Sequence, residues 1–399
     1  MKVTARFIFL FLIIAAAGVF APRIFAQDFG LILNQSLTLA DSDYVNYTAV
    51  AVPWFAAPLG EQADVYLSGG AGVEYEDEKW NPLYEIYRFE LTWNYSPSLS
   101  FGFGRQYFQD SLGLILTGLF DGVSLNWNVG GGRFYTGLFY TGLLYKKSAS
   151  ITMNASDSFI YSDPDKYFAS SRLAGGIIWE KTSIFDTQGS IWLDGIFQID
   201  LNDADSKIHS QYVAAKYSTP LAPAFSLECG AAAEILEVSD LEPQVAFAAS
   251  ADLMWLYYGG IPGMLSLGGR FSTGVLKDTF AAFTPLTGGA QGKVLRPNLS
   301  GAALLQADYT FRPAPGLFAE LFAAYLFRTD KTSFSDAGID QKSDSPMLGA
   351  EIYLGVSWAP VSDFVLSAGG GIFVPQTGMA FTDNADIKYR LELTAGISL

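Results

Sequence analysis

Residues 388–399 read KYRLELTAGISL, and Arg390, Glu392, Thr394 and Ser398 alternate there with Tyr389, Leu391, Leu393, Ala395, Ile397 and Leu399. A strand shows successive side chains to opposite faces, so this segment has an apolar face and a polar one. The same period of two recurs along the chain. Tyr87, Phe89, Leu91, Trp93 and Tyr95 alternate with Arg88, Glu90, Thr92 and Asn94. Leu227, Cys229 and Ile235 oppose Glu228 and Glu234; Phe247, Leu253 and Trp255 oppose Asp252. Leu299, Leu305, Tyr309 and Phe311 oppose Gln306, Asp308 and Arg312, and Leu348, Ile352, Leu354 and Trp358 oppose Glu351. Arg270 and Glu320 fall on the polar face by the same parity.

Those polar faces decide between two all-β architectures. A soluble core that buried Glu228, Glu234, Asp252, Asp308 and Glu351 unpaired would lose several kcal/mol for each. Facing a water-filled lumen removes that cost. The apolar faces begin or end on Trp and Tyr, which favour the wet edge of a bilayer. The chain is only 16% charged and 15% aromatic, against about a quarter charged for a soluble domain. The expected fold is an antiparallel up-and-down transmembrane β-barrel of about eighteen strands, with sixteen as the neighbouring even number.

Connections agree. Short Pro- or Gly-rich turns (57–62, 96–98, 130–133, 218–224, 258–263, 312–316 and 359–363) alternate with long polar segments at 74–82, 146–167, 202–207, 277–297 and 329–346. Bacterial barrels place short turns toward the periplasm and long loops outside. Residues 1–26, with Lys2 and Arg6 before the apolar run 7–20, read as a signal peptide, leaving a barrel domain at 27–399. No stretch suits a membrane helix, because 253–269 is broken by Gly-Gly and Pro-Gly. A single Cys and a single His leave no intramolecular disulfide and no histidine-based catalytic set. Acidic loop clusters lack the EF-hand order. No catalytic, cofactor or metal residues are expected, nor a nucleic-acid partner.

The segment 101–125, FGFGRQYFQDSLGLILTGLFDGVSL, has Gly-Arg-Gln closing one strand and Asp-Gly-Val opening the next. In this it resembles the alginate-export family of outer-membrane porins, through Gly104, Arg105, Gln106, Asp110, Asp121, Gly122 and Val123. The resemblance implies a large monomeric barrel in the bacterial outer membrane, with an Arg-rich lumen for a polyanion. The inward list here is richer in acids than in bases, and an acidic pore repels a polyanion. The expected function is therefore passive diffusion of small hydrophilic solutes with a weak cation preference, the pore being lined by Arg88, Glu90, Glu228, Glu234, Asp252, Arg270, Asp308, Glu320, Glu351, Arg390 and Glu392. The alternative is an adhesin or receptor whose barrel displays acidic loops. Outer-membrane lipids and, through the C-terminal strand, the barrel-assembly machinery are the expected partners.

Some placements follow locally. Asp252 and Arg270 flank one turn and should form a wall ion pair. Asp308 and Glu320 flank another and carry like charge, with Arg312 available to relieve them. Arg105 shares parity with Phe101 and Phe103, so it is either a rim arginine or is turned inward by a bulge at Gly104. The apolar run 112–120 and the loop 146–166 are the candidates for narrowing the mouth.

Overall fold

A computed structural model describes residues 28–41, 44–76, 78–184, 188–203, 207–239, 241–276, 280–287, 289–333 and 338–399. The expected leader at 1–26 lies outside them, as do parts of the acidic segments at 74–82, 202–207, 277–297 and 329–346. Eighteen strands form one sheet: β1 Asp28–Ala40, β2 Tyr44–Pro58, β3 Ala63–Glu76, β4 Lys79–Ser96, β5 Leu99–Gln109, β6 Thr117–Val129, β7 Gly132–Tyr140, β8 Arg172–Ile184, β9 Gly189–Asp200, β10 Ile208–Ala222, β11 Phe225–Val238, β12 Gln244–Tyr257, β13 Gly263–Ser272, β14 Ala302–Ala314, β15 Leu317–Arg328, β16 Met347–Val361, β17 Phe364–Pro375 and β18 Lys388–Ser398. Each pairs antiparallel with its sequence neighbours. The 388–399 alternation becomes β18, which closes the ring on β1 from Ile32↔Ser398 to Ala40↔Arg390. Closure leaves no free edge there, which is what lets a sheet stand in hydrocarbon.

The outer face carries Phe89, Trp93, Trp127, Leu253, Trp255, Ile352 and Trp358, all exposed. Near the short-turn rim the rings pack on one another, with Phe225 and Trp255 stacked at 5.9 Å and Trp93 and Phe101 at 5.6 Å. Such a belt costs nothing against lipid and would be unstable against water.

Apolar side chains are also buried inside the ring. One cluster joins Leu114, Ile115 and Leu116 of the β5–β6 connection to Ile151, Phe283 and Leu286 from other loops, against inward residues such as Tyr212 and Ala232. A second joins Val294, Ala380 and Phe381 to Leu304, Phe322 and Tyr353. The loops at the long-loop rim are therefore folded into the barrel. Three expected facings change. Leu348 turns inward because a register shift at Leu326/Phe327 accompanies Gly349, whose φ is +146°. Leu299 lies before β14, buried in the first cluster. Tyr87 sits at a register shift between Ser68 and Gly69, and its ring lies over Gly70 on the inner face.

Candidate functional site: a lumen narrowed by inward-folded loops

The segment 101–125 is the pivot of the main constriction. The β4–β5 ladder stops at Phe89↔Arg105, although β4 goes on to Lys79 and β5 to Gln109. The β6–β7 ladder stops at Asp121↔Tyr140. Between those levels β5 and β6 pair only with each other, up to Gln109↔Thr117. The top of this hairpin leaves the wall and crosses the lumen. Its tip reaches β11, where a Cβ on Gly230 would lie 2.2 Å from Leu112. Ser111 N–H donates to Asp194 on β9 at 2.8 Å, and Leu286 N–H donates to the Ile115 carbonyl at 2.9 Å.

Small residues at the pivot have a steric cause. Gly104 and Gly122 face each other across the ladder. A Cβ on Gly104 would stand 2.0 Å from the Phe89 carbonyl oxygen, and one on Gly122 2.0 Å from that of Leu138. Gly104 also has φ +101°, open only to glycine at low cost. No register shift occurs at Gly104, so Arg105 keeps the parity of Phe103. It is nevertheless buried. Its Nε and Nη2 donate to Asp121 at 2.8 and 2.7 Å, another bond goes to the Leu143 carbonyl at 2.9 Å, and Nη1 donates to the Ile86 carbonyl. Gln106 faces inward and accepts from Ser124 at 2.5 Å. Asp110 ends the strand and gathers four backbone N–H groups, from Leu112, Leu114, Ile115 and Leu116 at 2.8–3.2 Å, which turns the tip. Burial of Asp110 raises its pKa above the usual carboxylate range even against those hydrogen bonds.

The loop between β7 and β8 contains two short helices, α1 Lys146–Ala149 and α2 Ala155–Ser162, and covers the space the hairpin vacates. A capping box of Asn154 and Asp157 starts α2. Asp157 then joins a fully buried ion cluster, in which Arg172 Nη2 lies 2.6 Å from Asp157 and 3.0 Å from Asp200. Arg172 Nη1 donates to Gln198 at 2.6 Å. Sequence reading missed this cluster, since its members lie on one helix and two strands.

Inner-wall acids fasten other loops. Glu351 accepts from the backbone N–H of Lys293, Val294 and Leu295 at 2.7–3.1 Å and is buried. Glu234 is buried and accepts from Thr284 N–H at 2.7 Å. Both face inward, but neither reaches open lumen; each has exchanged water for loop backbone.

Other acids of the inner wall are partly exposed, and several are paired with bases. Arg88 and Glu90 form an ion pair, with the Arg88 guanidinium 4.6 Å from the Tyr66 ring centre. Glu228 meets Lys216 at 2.8 Å. Asp252 and Arg270 pair at 2.7 Å, diagonally, since Asp252 is in register with Gly268. Asp308 and Glu320 stand near each other on the inner wall and carry like charge. Their relief comes from Lys293, which reaches Glu320 at 2.7 Å, whereas Arg312 stacks on Phe318 at 4.3 Å. Glu392 is bonded to Arg390 at 2.8 Å and to the Tyr353 hydroxyl at 3.0 Å, with Arg296 at 4.0 Å. Lys293 and Arg296 come from the β13–β14 loop, which strand periodicity does not describe. Below them toward the short-turn rim is a cavity of about 1030 Å³, bordered by Ser36, Thr38, Glu320, Tyr353 and Glu392.

No protein-family profile matches the chain, and no curated protein matches it in sequence. Solved structures match its fold. They include the outer membrane protein OpdK of Pseudomonas aeruginosa (11% identity, 94% of this chain and 99% of that one, TM-score 0.62). OccK5 (OpdH) of the same organism matches at 13% identity, 94% and 98% coverage and TM-score 0.63. OprD matches at 14% identity, 94% coverage of each chain and TM-score 0.60. The fold of this chain, a closed barrel of eighteen strands, is that of the OprD/Occ outer-membrane porins.

Proposed function

We propose that this protein is a bacterial outer-membrane channel for passive diffusion of small hydrophilic solutes. One observation carries the reading: inside a closed barrel with an apolar outer belt, paired charges on the inner wall remain partly exposed. Buried ion pairs in a dry core bring little or no net stability, whereas pairs beside a water column need no such compensation. The likeness in fold to the OprD/Occ porins supports the same reading. We further propose kinship with the alginate-export porins through 101–125, where Gly104, Arg105, Asp110, Asp121 and Gly122 build the pivot of this chain.

The proposed selectivity is a weak cation preference. It arises from the net charge of −16, which sets a negative potential over the mouth. The inner wall adds less than its acids alone would, because Glu90, Glu228, Asp252, Glu320 and Glu392 have basic partners in Arg88, Lys216, Arg270, Lys293 and Arg390. We further propose a monomer whose last strand is read by the assembly machinery. Reversal potentials across a KCl gradient in planar bilayers test the selectivity: cation preference that weakens as salt rises is the expected result, and anion preference would overturn it.

A further inference from the structure

The departure of the β5–β6 hairpin leaves a seam in the wall. On one side, β4 residues 79–88 have no ladder partner toward β5; on the other, β7 ends at Tyr140. Unpaired strand edges facing hydrocarbon are costly, and among the described residues this one is closed by loop contacts and by Arg105. Tyr145 donates to Glu74 at 3.2 Å and Ser148 to Glu85 at 2.9 Å. Lys147 pairs with Glu76, and the Tyr167 hydroxyl donates to the Tyr84 carbonyl. Arg105 ties the two flanks through the Ile86 and Leu143 carbonyls. Apart from the Arg105 tie, these latches are single contacts, several with partly exposed partners, and can part without breaking a strand pair.

A cavity of about 510 Å³ lies in the seam, within the size range of small-ligand sites. Its lining mixes both sides of the wall. Glu85 and Arg88 belong to the inner face of β4, Tyr107 and Leu119 to the outer-parity face of the hairpin, and Leu144 and Ser148 to the loop. Around the outside stand Tyr84, Ile86, Leu143 and Phe168, all exposed apolar residues. The Nε of Arg88 is buried without a hydrogen-bond partner. The space therefore offers hydrocarbon contact at its outer end and, at its inner end, the partly exposed guanidinium of Arg88.

We propose that this seam is a lateral portal, through which a single-chain amphiphile with an oxygen-acceptor head enters from the outer leaflet into the lumen. The chain would lie against Tyr107, Leu119 and Leu144 and the head would accept from Arg88. The destination rests on the channel reading; entry into the seam does not. The test uses the full chain in proteoliposomes, with C229S to remove the native thiol and E85C with S148C to take a short thiol-reactive bridge that a reductant releases. The probe is dodecanoic acid carrying a photoreactive diazirine. The proposal expects labelling at Tyr107, Leu119 or Leu144 that is lost on bridging and regained on reduction. Labelling confined to the outer belt, or seam labelling that bridging leaves unchanged, overturns it. Channel currents give a second readout. Dodecanoate in the bilayer should reduce the current, and bridging should remove that block without changing the small-ion current. A bridge that itself abolishes current makes the loop an axial gate and overturns the portal. If no variant conducts, the channel reading fails and the labelling still decides the portal.

Discussion

Arg105 and Asp121 face each other across the β5–β6 ladder, joined by hydrogen bonds of 2.8 and 2.7 Å at the level where the hairpin leaves the wall. Arg105 binds carbonyls on both flanks as well, so the pair is both the pivot of the constriction and the keystone of the wall. Removing Arg105 strands Asp121 and two carbonyl groups in a place with little water. Arg105→Ala is expected to lower stability by about 3 kcal/mol. Asp121→Asn, which keeps an acceptor, should cost less. Urea midpoints of the refolded barrel measure both, and equal midpoints for R105A and wild type would contradict the keystone role.

Gly104 is predicted to tolerate no side chain. Its positive φ alone costs a non-glycine residue about 1–2 kcal/mol, and the Phe89 carbonyl occupies the Cβ position. Gly104→Val should fold in poor yield, as read by the heat-dependent gel shift of folded barrels. Gly195, with nothing near its Cβ position, serves as the control and should accept alanine.

Glu351→Gln should loosen the β13–β14 loop. A glutamine has one acceptor oxygen where the carboxylate has two, so at least one of three backbone N–H groups loses its partner. The expected cost is roughly 1–3 kcal/mol. Because that loop carries Lys293 and Arg296, the current should become noisier and more cation-selective. An unchanged current trace would separate the loop from the constriction.

Arg172→Met removes a cation from between two buried carboxylates, at a cost of roughly 3–5 kcal/mol. The loss should fall on the β7–β8 loop before the barrel. Limited proteolysis of intact proteoliposomes is expected to cut within 141–171 in the variant and spare the wild type.

The pH dependence of the tip has a defined sign. Burial raises the folded-state pKa of Asp110, so the native state binds a proton more readily than the unfolded chain. The group opposes folding when ionised, and that penalty is relieved as pH falls toward its folded pKa. Over mildly acidic pH, wild type should gain stability relative to Asp110→Asn as pH falls. A wild type that loses stability relative to Asp110→Asn as pH falls would reverse the assignment.

Much of the barrel was legible in the sequence because each strand meets two different media, and alternation records both. Eighteen strands, the outer belt and the Asp252–Arg270 pair follow from it. Tyr87 and Leu348 were read onto the wrong face because a single-residue register shift inverts everything beside it. The work of Glu234 and Glu351 was not legible, since their partners are backbone N–H groups some fifty residues away. Lys293 escaped for a related reason: it lies in a loop that only folding brings beside Glu320. The run 112–120 did carry a signal, being too apolar for an exposed loop, and it forms much of the buried tip.

The central claim is a water-filled lumen narrowed by the β5–β6 hairpin. Single-channel conductance of the native protein, set beside a variant in which 111–115 is replaced by a short Gly-Ser linker, tests it most directly. The account predicts discrete current steps for the native protein and larger steps for the variant. Silent bilayers containing inserted native protein, or steps of the same size in both, would contradict it.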